Sequence, residues 1–200
     1  MNEMSQDTAG PKARNDVLRD YVRQHLTGLA MPHWYFLHVA AVVLQTRVRR
    51  IAEIGVDKGK CAYHLRRLFF QAELHLIDPW AAYEGYSDRC VPTRDAGDRK
   101  CTLVHELFVG DHAVTIHRTM SEDAAREIPG DFDVVFIDGN HSYEYVKKDI
   151  ISWRPTIRPG GFLAGHDYLN KRGVRKAVDE LLPDAVMPDE KVANVWVHAE

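Results

Sequence analysis

Short apolar runs that end in glycine, aspartate or histidine alternate with helical patterns along most of this chain. The clearest run, residues 133–137, has the length and the β-branched content of a buried strand. Such alternation predicts an α/β fold, a doubly wound sheet with helices on both of its faces. We expect seven strands, mostly parallel, with an antiparallel last strand.

The apolar runs set the expected strand positions, which are residues 51–54, 74–77, 113–117, 133–137, 162–164 and 192–197. A glycine or a titratable residue follows several of these runs: Gly55, Asp78, Asp138 and the pair His166 and Asp167. Open α/β sheets bind ligands beyond the carboxyl ends of their strands. These residues are therefore the candidates for a functional site.

Two helical patterns precede the first strand. Apolar residues recur at helical spacing over residues 18–29 and again over 34–44, with Pro32 between them. We expect residues 1–47 to form a tail and two helices that pack on the sheet or on a partner subunit. Residues 48–200 then form a single globular unit, since 200 residues is a usual size for one domain.

Charge and hydropathy exclude several classes of protein. The chain carries 26 Lys+Arg against 29 Asp+Glu, a net charge of -3, without the basic excess of a typical nucleic-acid binder. Its longest uninterrupted apolar run, residues 39–44, is too short to span a bilayer, and the N-terminal region lacks the apolar core of a signal peptide. Three cysteines without metal-site spacing indicate reduced thiols. We therefore expect a cytoplasmic protein with no nucleic-acid or membrane partner.

A glycine turn follows the first predicted strand, in the segment EIGVDKG. Gly55 and Gly59 let the backbone pass close to a ligand, while Asp57 stands where a dinucleotide-binding turn has its second glycine. The acidic side chains of Glu53 and Asp57 repel a pyrophosphate. They suit a phosphate-free ligand whose amino and sulfonium groups are positive. The alternative is a plain tight turn without a ligand.

Asp78 lies 23 residues after Gly55 and closes the second predicted strand. A carboxylate at that position accepts hydrogen bonds from both hydroxyls of a ribose. The alternative is a surface residue that caps the chain before Pro79. Together with the glycine turn, Asp78 predicts a nucleoside pocket.

Three segments in this order resemble the class I S-adenosylmethionine-dependent methyltransferases. AEIGVDKG is similar to their first motif, LHLIDPW to their second, and FDVVFIDG to the motif of their fourth strand. The resemblance covers about residues 48–168. It implies their Rossmann-like sheet and S-adenosylmethionine as the cofactor.

The same resemblance implies a role for each residue of the pocket. Gly55 and Gly59 line the methionine portion of the cofactor, with Glu53 behind them. Asp78 holds the ribose, and Ser121, after the third predicted strand, falls where the family contacts adenine.

The segments FIDGNHSYEYVKKDI and RPGGFLAGHDY resemble more specifically the small-molecule O-methyltransferases, which include sugar and antibiotic-tailoring enzymes and catechol-type relatives. Metal-dependent members have an aspartate at the end of strand four and an acidic or amide pair 28 and 29 residues later, here Asp138, His166 and Asp167. This implies a divalent metal site. Catechol-type relatives carry a basic lysine three residues after the aspartate. This chain has His141 there, which we expect to be the catalytic base.

Two residues depart from that branch. His166 replaces a carboxylate, which favours Mn²⁺, Fe²⁺ or Zn²⁺ over Mg²⁺. Asn140 replaces an aspartate that antibiotic O-methyltransferases often carry, and it or Ser142 is alternatively the cap of the following helix.

Other interpretations of the metal residues are open. Asp138 alternatively contacts only the amino group of the cofactor, as it does in metal-free relatives. His166 and Asp167 alternatively form a structural hydrogen-bonded pair. His141 is alternatively an exposed residue in the first turn of a helix.

Two further groups of residues are candidates for contacts with a methyl acceptor. The loop over 81–111 and the end of the preceding strand carry aromatic and arginine side chains, at Trp80, Tyr83, Tyr86, Arg89 and Arg94. The aromatic side chains form a wall over the cofactor or substrate and the arginines contact an anionic group, or all of them belong to a plain surface loop. A basic cluster follows at Lys171, Arg172, Arg175 and Lys176. It is a solvated helix face unless the substrate is acidic.

These inferences predict transfer of a methyl group from S-adenosylmethionine to a hydroxyl of a small molecule, a sugar or a natural-product intermediate, by in-line displacement with a divalent metal. The rival functions are metal-independent methylation of a nitrogen or a carboxylate, a nicotinamide-dependent oxidoreductase, and a non-catalytic module that binds the cofactor. The N-terminal helices are a candidate surface for homo-oligomers.

Overall fold

The computed structural model describes residues 10–85, 93–188 and 192–200, and its centre is a six-stranded sheet. In chain order the strands are β1 Arg50–Ile54, β2 Glu73–Ile77, β3 Val114–His117, β4 Phe132–Ile137, β5 Ile157–His166 and β6 Val195–Ala199. They lie in the order β3-β2-β1-β4-β5-β6. Neighbouring strands are parallel except for the antiparallel pair of β5 and β6. The expected doubly wound, mostly parallel α/β sheet with an antiparallel last strand is confirmed.

The helices of the described residues cover both faces of the sheet. They are α1 Pro11–Tyr21, α2 His33–Val43, α3 Lys60–Leu68, α4 Arg94–Leu107, α5 Ser121–Glu127, α6 Tyr143–Trp153 and α7 Arg172–Leu181. Successive side chains of β4 point to opposite faces. Val134 and Phe136 therefore pack in one core with α1 to α4, and Val135 and Ile137 in the other with α5 to α7. None of these helices combines the length and the hydropathy needed to cross a bilayer.

The prediction of seven strands is wrong for the described part of the chain, which forms six. Beside β6, a single antiparallel bridge joins Val186 to Val197 through backbone hydrogen bonds of 2.7 and 2.9 Å. Pro183 and Pro188 lie on either side of Val186. Continued pairing would set Pro188, which has no N–H group to donate, opposite Val195, and on the other side the Ala199 N–H donates to Asn15 Oδ1 instead. The pairing therefore does not extend into a strand.

The N-terminal helices pack on the sheet of their own chain, one of the two predicted arrangements. The guanidinium of Arg14 in α1 donates to the carbonyl oxygen of Glu200 at 2.7 Å, and Asn15 Oδ1 accepts from the backbone N–H of Ala199 at 2.9 Å. These bonds join α1 to the end of β6. The division of the chain at residue 47 and the homo-oligomer remain predictions.

A pair of stacked histidines joins β2 to β3. His75 Nδ1 lies 3.1 Å from His117 Nε2, and the guanidinium of Arg50 lies 3.2 Å from His75 Nε2. Since arginine only donates, the His75 ring accepts from Arg50 and donates to His117. Burial lowers the pKa of His75 to about 4, together with the charges of Arg50 and His117.

We expect acid to destabilise the fold through His75. The unfolded chain takes up a proton on this imidazole near pH 6.5, whereas the folded chain keeps it neutral down to about pH 4. The stability that neutral His75 contributes is present above about pH 6.5 and is lost as the pH falls toward 4. For a partly buried group the loss is about 1–3 kcal/mol. Urea unfolding at about pH 7 and about pH 4.5 measures it.

The matched variants for this experiment are His75→Gln and His105→Gln. Glutamine at position 75 keeps a donor and an acceptor but does not titrate, so the loss of stability in acid should shrink. His105 is exposed on α4, and its replacement should leave the acid loss of the wild type unchanged. An undiminished loss in His75→Gln contradicts the assignment.

Candidate functional site

A cleft of about 770 Å³ opens at the carboxyl ends of β1 and β4. The direction in which strands are added to the sheet reverses between these two neighbours, and open sheets bind ligands at such a point. Of the predicted site residues, those that line the cleft are Glu53, Gly55, Asp78, Ser121, Asp138, His141 and Asp167. Gly59 and His166 adjoin these residues without lining the cleft. The structure thus gathers the polar residues of separate strand ends into one site.

The glycine turn after β1 needs glycine for two different reasons. Gly55 has a φ of +88°, and a Cβ there would lie 2.2 Å from the carbonyl oxygen of Asp138. Gly59 has a φ of +77° at the start of α3, and a Cβ there would lie 3.2 Å from Val104. Gly55 therefore lets the chain after β1 touch the chain after β4, whereas Gly59 packs against α4.

Asp78 holds the glycine turn in place. Its Oδ2 accepts from the backbone N–H groups of Val56 and Asp57, both at 3.0 Å, and its Oδ1 accepts from that of Trp80 at 2.7 Å. Burial raises the pKa of Asp78, while these three bonds lower it. The turn amides that a pyrophosphate would need are thus already occupied, which disfavours the dinucleotide alternative. A contact of Asp78 with ribose stays a prediction.

Glu53 lies in β1 beneath the turn and is 1% exposed. Burial and the neighbouring charge of Asp138 raise its pKa well above the usual range, while hydrogen bonds from Cys61 and the Ala62 backbone act in the opposite direction. Among the described residues, nothing donates a hydrogen bond to its buried Oε2. A buried acidic oxygen that lacks a donor fits the amino group of a ligand.

Two carboxylates and a histidine meet where β4 and β5 end. His141 Nε2 lies 3.0 Å from Asp167 Oδ2 and 3.7 Å from Asp138 Oδ1. One ligand atom from each of the three residues lies within 4.8 Å of the other two, close enough to share a cation. Burial alone would raise the pKa of Asp138, but hydrogen bonds with His141 and His166 bring it below its ordinary value. The carboxylate is therefore charged.

His166 lies against the same two carboxylates. Its Nδ1 is 3.5 Å from Asp138 Oδ1 and 3.4 Å from Asp167 Oδ1. Burial would lower the pKa of His166, but the two carboxylates raise it to about 9, so the site stabilises a positive charge. The group of three whose ligand atoms lie within 4.8 Å of one another contains His141, whereas the sequence indicated His166 as the third metal residue.

His33 is a residue of the site that the sequence did not indicate. It begins α2, its ring centroid lies 4.5 Å from that of His166, and it stacks on Phe136 at 5.5 Å. Burial and the charge of His166 lower its pKa to about 4. Its Nε2 is buried without a hydrogen-bond partner in the described part of the chain. A neutral imidazole from the N-terminal helices therefore stands in the wall of the cleft.

Asn194 is a second residue without a sequence signal. Asp167 has a φ of +60°, a conformation that costs a residue with a Cβ about 1 kcal/mol. Asn194 Nδ2 donates to Asp167 Oδ1 at 2.9 Å, and the backbone N–H of Asp167 donates to the Asn194 carbonyl oxygen at 3.0 Å. Asn194 precedes β6 and thereby fixes the carboxylate of Asp167.

Ser121 lines the cleft, but its hydroxyl group is bound by protein. The indole Nε1 of Trp153 donates to Ser121 Oγ at 2.8 Å, and Ser121 also forms a hydrogen bond with Asp149. Asp149 lines the cleft as well, although the sequence analysis did not select it. Direct contact of Ser121 with adenine stays a prediction.

Asn140 and Ser142 lie at the start of α6, where their contacts are with the protein itself. Asn140 Oδ1 accepts from the backbone N–H of Ser142 at 2.9 Å, and Asn140 Nδ2 donates to the carbonyl oxygen of Gly85 at 3.3 Å. Ser142 occupies the N-cap of α6 without a side-chain capping bond. Asn140 therefore joins this turn to the loop that follows β2.

The aromatic loop and the basic cluster reach the cleft in part. Trp80, Tyr83 and Lys171 line it. Tyr86 and Arg89 lie outside the described residues, and Arg94 is exposed at the start of α4. The remaining members of the cluster line a separate surface groove, at Arg172, Arg175 and Lys176.

A family of methyltransferase domains matches residues 52–168, more than half of the chain. The range begins in β1 and ends just after β5, so it contains the glycine turn and both carboxylates of the metal candidate. No curated protein shows significant similarity to the sequence.

Solved structures of methyltransferases share the fold. The O-methyltransferase TomG from Streptomyces achromogenes, involved in tomaymycin synthesis and solved with S-adenosylmethionine, is 17% identical, with a TM-score of 0.56 over 98% of this chain and 92% of TomG. The calicheamicin methyltransferase CalS11 is 13% identical, with a TM-score of 0.60 over 100% of this chain and 98% of CalS11. An O-methyltransferase from Bacillus cereus, solved with S-adenosylhomocysteine, is 14% identical, with a TM-score of 0.58 over 96% and 92%. At these identities the likeness shows the fold and not the acceptor.

The family match covers most of the residues that line the cleft. Every strand whose end contributes a predicted site residue lies wholly or largely within the matched range. The chain therefore belongs to the family of methyltransferase domains and is an S-adenosylmethionine-dependent methyltransferase.

Proposed function

We propose that this methyltransferase transfers the methyl group of S-adenosylmethionine to a hydroxyl group of a small molecule, assisted by a divalent metal. The observation that carries the proposal is the group of Asp138, His141 and Asp167, whose ligand atoms lie within 4.8 Å of one another in the wall of the cleft. Such a group can share a divalent cation that activates the hydroxyl group of an acceptor.

The donor set fits a divalent cation. Asp138 and Asp167 already stabilise a positive charge, since they raise the pKa of His166 to about 9. The imidazoles of His141 and His166 beside them favour Mn²⁺, Fe²⁺ or Zn²⁺ over Mg²⁺. When bound, such a cation lowers the pKa of a coordinated hydroxyl group and fixes its position.

The residues of the chain orient the two reactants. Glu53 offers a buried oxygen to the amino group of the cofactor. Because the chain at Gly55 touches the backbone of Asp138, the methionine end of the cofactor site adjoins the metal candidate. Such proximity of nucleophile and methyl group lowers the barrier by several kcal/mol. Asp167, held by Asn194, orients His141. His141 is the candidate for the catalytic base where Asp138, Asp167 and His166 hold the cation, since an imidazole that binds the cation cannot also accept a proton.

The test measures formation of S-adenosylhomocysteine with a panel of phenol, sugar and other hydroxyl acceptors, before and after chelation. We expect turnover that chelation abolishes and Mn²⁺ restores. Turnover of an amine or carboxylate acceptor that survives exhaustive chelation would overturn the proposal in favour of metal-independent methylation. Tight cofactor binding without turnover across the panel would favour a non-catalytic module.

A further inference from the structure

Asp149 is a buried carboxyl group that the proposed chemistry does not use. It lies on α6 with 4% of its surface exposed, yet it lines the cleft together with Ser121. The nearby ammonium group of Lys148 pairs with Glu122 at 3.2 Å instead. Burial raises the pKa of Asp149 to about 7.

The hydrogen bonds around Asp149 have a fixed direction. An indole nitrogen only donates, so the bond of 2.8 Å from Trp153 Nε1 uses a lone pair of Ser121 Oγ. The hydroxyl proton of Ser121 is then available to Asp149, which accepts it. Trp153 and Ser121 thus hold the carboxyl group in one orientation.

A carboxyl group has more acceptor capacity than one hydroxyl donor satisfies, and buried polar groups are rarely left unsatisfied. Apart from Ser121, the described hydrogen bonds give Asp149 no side-chain donor. The cleft is the side from which a ligand can supply another donor. Of the parts of S-adenosylmethionine, the methionine end adjoins Glu53 and Gly55, on the turn after β1. The remaining part, the adenine base, then contacts Ser121 and Asp149 on α5 and α6. Its exocyclic amino group is a hydrogen-bond donor.

We propose that Asp149 accepts a hydrogen bond from the exocyclic amino group of the cofactor's adenine and thereby selects adenine against a 6-oxo purine. This inference rests on the cofactor site of the proposed function. Asp149 then determines specificity for the nucleoside, while Ser121 and Trp153 position its carboxyl group.

The test compares the dissociation constants of S-adenosylhomocysteine and S-inosylhomocysteine by calorimetry. In the second compound an oxygen replaces the amino group, so position 6 of the purine offers an acceptor instead of a donor. Measured above the pKa of Asp149 of about 7, where this residue is a carboxylate, the comparison sets two acceptors against each other. For the wild type we expect S-adenosylhomocysteine to bind about 10–100-fold more tightly. In Asp149→Asn the ratio should fall to about 3-fold or less, because the amide nitrogen donates to the 6-oxo group.

Glu122→Gln is the matched control, since it removes a neighbouring carboxylate that does not line the cleft, and it should keep the wild-type ratio. Equal binding of both compounds to the wild type overturns the inference without any variant. So does an Asp149→Asn protein that binds both compounds more weakly by the same factor, because a purely structural role changes both alike. If the wild type binds neither compound, the cofactor site itself is refuted.

Discussion

Gly55→Ala is expected to reduce the affinity for S-adenosylhomocysteine by at least about 100-fold and to destabilise the fold by about 2–4 kcal/mol. Two effects add at this position. The φ of +88° is strained for any residue with a Cβ, and that Cβ would lie 2.2 Å from the Asp138 carbonyl oxygen and 2.6 Å from Gly139 Cα. Both neighbours are backbone, so relief requires β1 and β4 to separate at the cleft. Calorimetric titration and urea unfolding measure the two effects.

Gly110→Ala is the matched control for this substitution. Gly110 has a φ of +79°, close to that of Gly55, and a Cβ there meets nothing within 4 Å. It should destabilise the fold by about 1–2 kcal/mol and leave the affinity for the cofactor product unchanged. If both variants lose the same stability and neither loses affinity, the close contact between Gly55 and Asp138 does not shape the cofactor site.

The sequence predicted this region well because its signals are local. A buried strand, a glycine turn and a helix are encoded within consecutive residues, and parallel strands place their carboxyl ends at one edge of the sheet. The positions of Gly55, Asp138 and Asp167 in one cleft follow from that rule. The number of strands did not follow from that rule, because Pro188 and the bond from the Ala199 N–H to Asn15 limit the pairing at Val186 to a single bridge.

The residues missed by the sequence analysis owe their place to tertiary packing. His33 reaches His166 only because α2 lies on the sheet, and nothing near His33 in the chain marks it. Asp149 did carry a signal. It lies three residues after Val146 and four before Trp153, so it is an acidic residue on the apolar face of α6. A buried carboxyl group on such a face needs a hydrogen-bond partner, and a ligand in the cleft can provide one.

Asp138→Asn is expected to reduce turnover about 10³-fold, the largest loss of activity that we predict for a substitution in the cleft. The amide keeps the shape of the side chain but removes one of the two negative charges that hold the cluster. Asp138 Oδ1 lies 3.5 Å from His166 Nδ1 and 3.7 Å from His141 Nε2, so the neutral amide leaves Asp167 alone to balance two imidazoles. We also expect the affinity for Mn²⁺, measured by electron paramagnetic resonance without substrate, to fall at least about 10-fold.

The two measurements separate the roles that Asp138 can have. If it serves the metal, the affinity for Mn²⁺ falls while the dissociation constant of S-adenosylhomocysteine changes little. If it serves only the amino group of the cofactor, as in metal-free relatives, the dissociation constant rises and Mn²⁺ binds the wild type and the variant alike. Asp123→Asn, at a partly exposed aspartate of α5, should leave turnover and both affinities unchanged. Asp138 adjoins both Gly55 and the two imidazoles. Its substitution therefore tests whether the cleft contains a metal site beside the cofactor site.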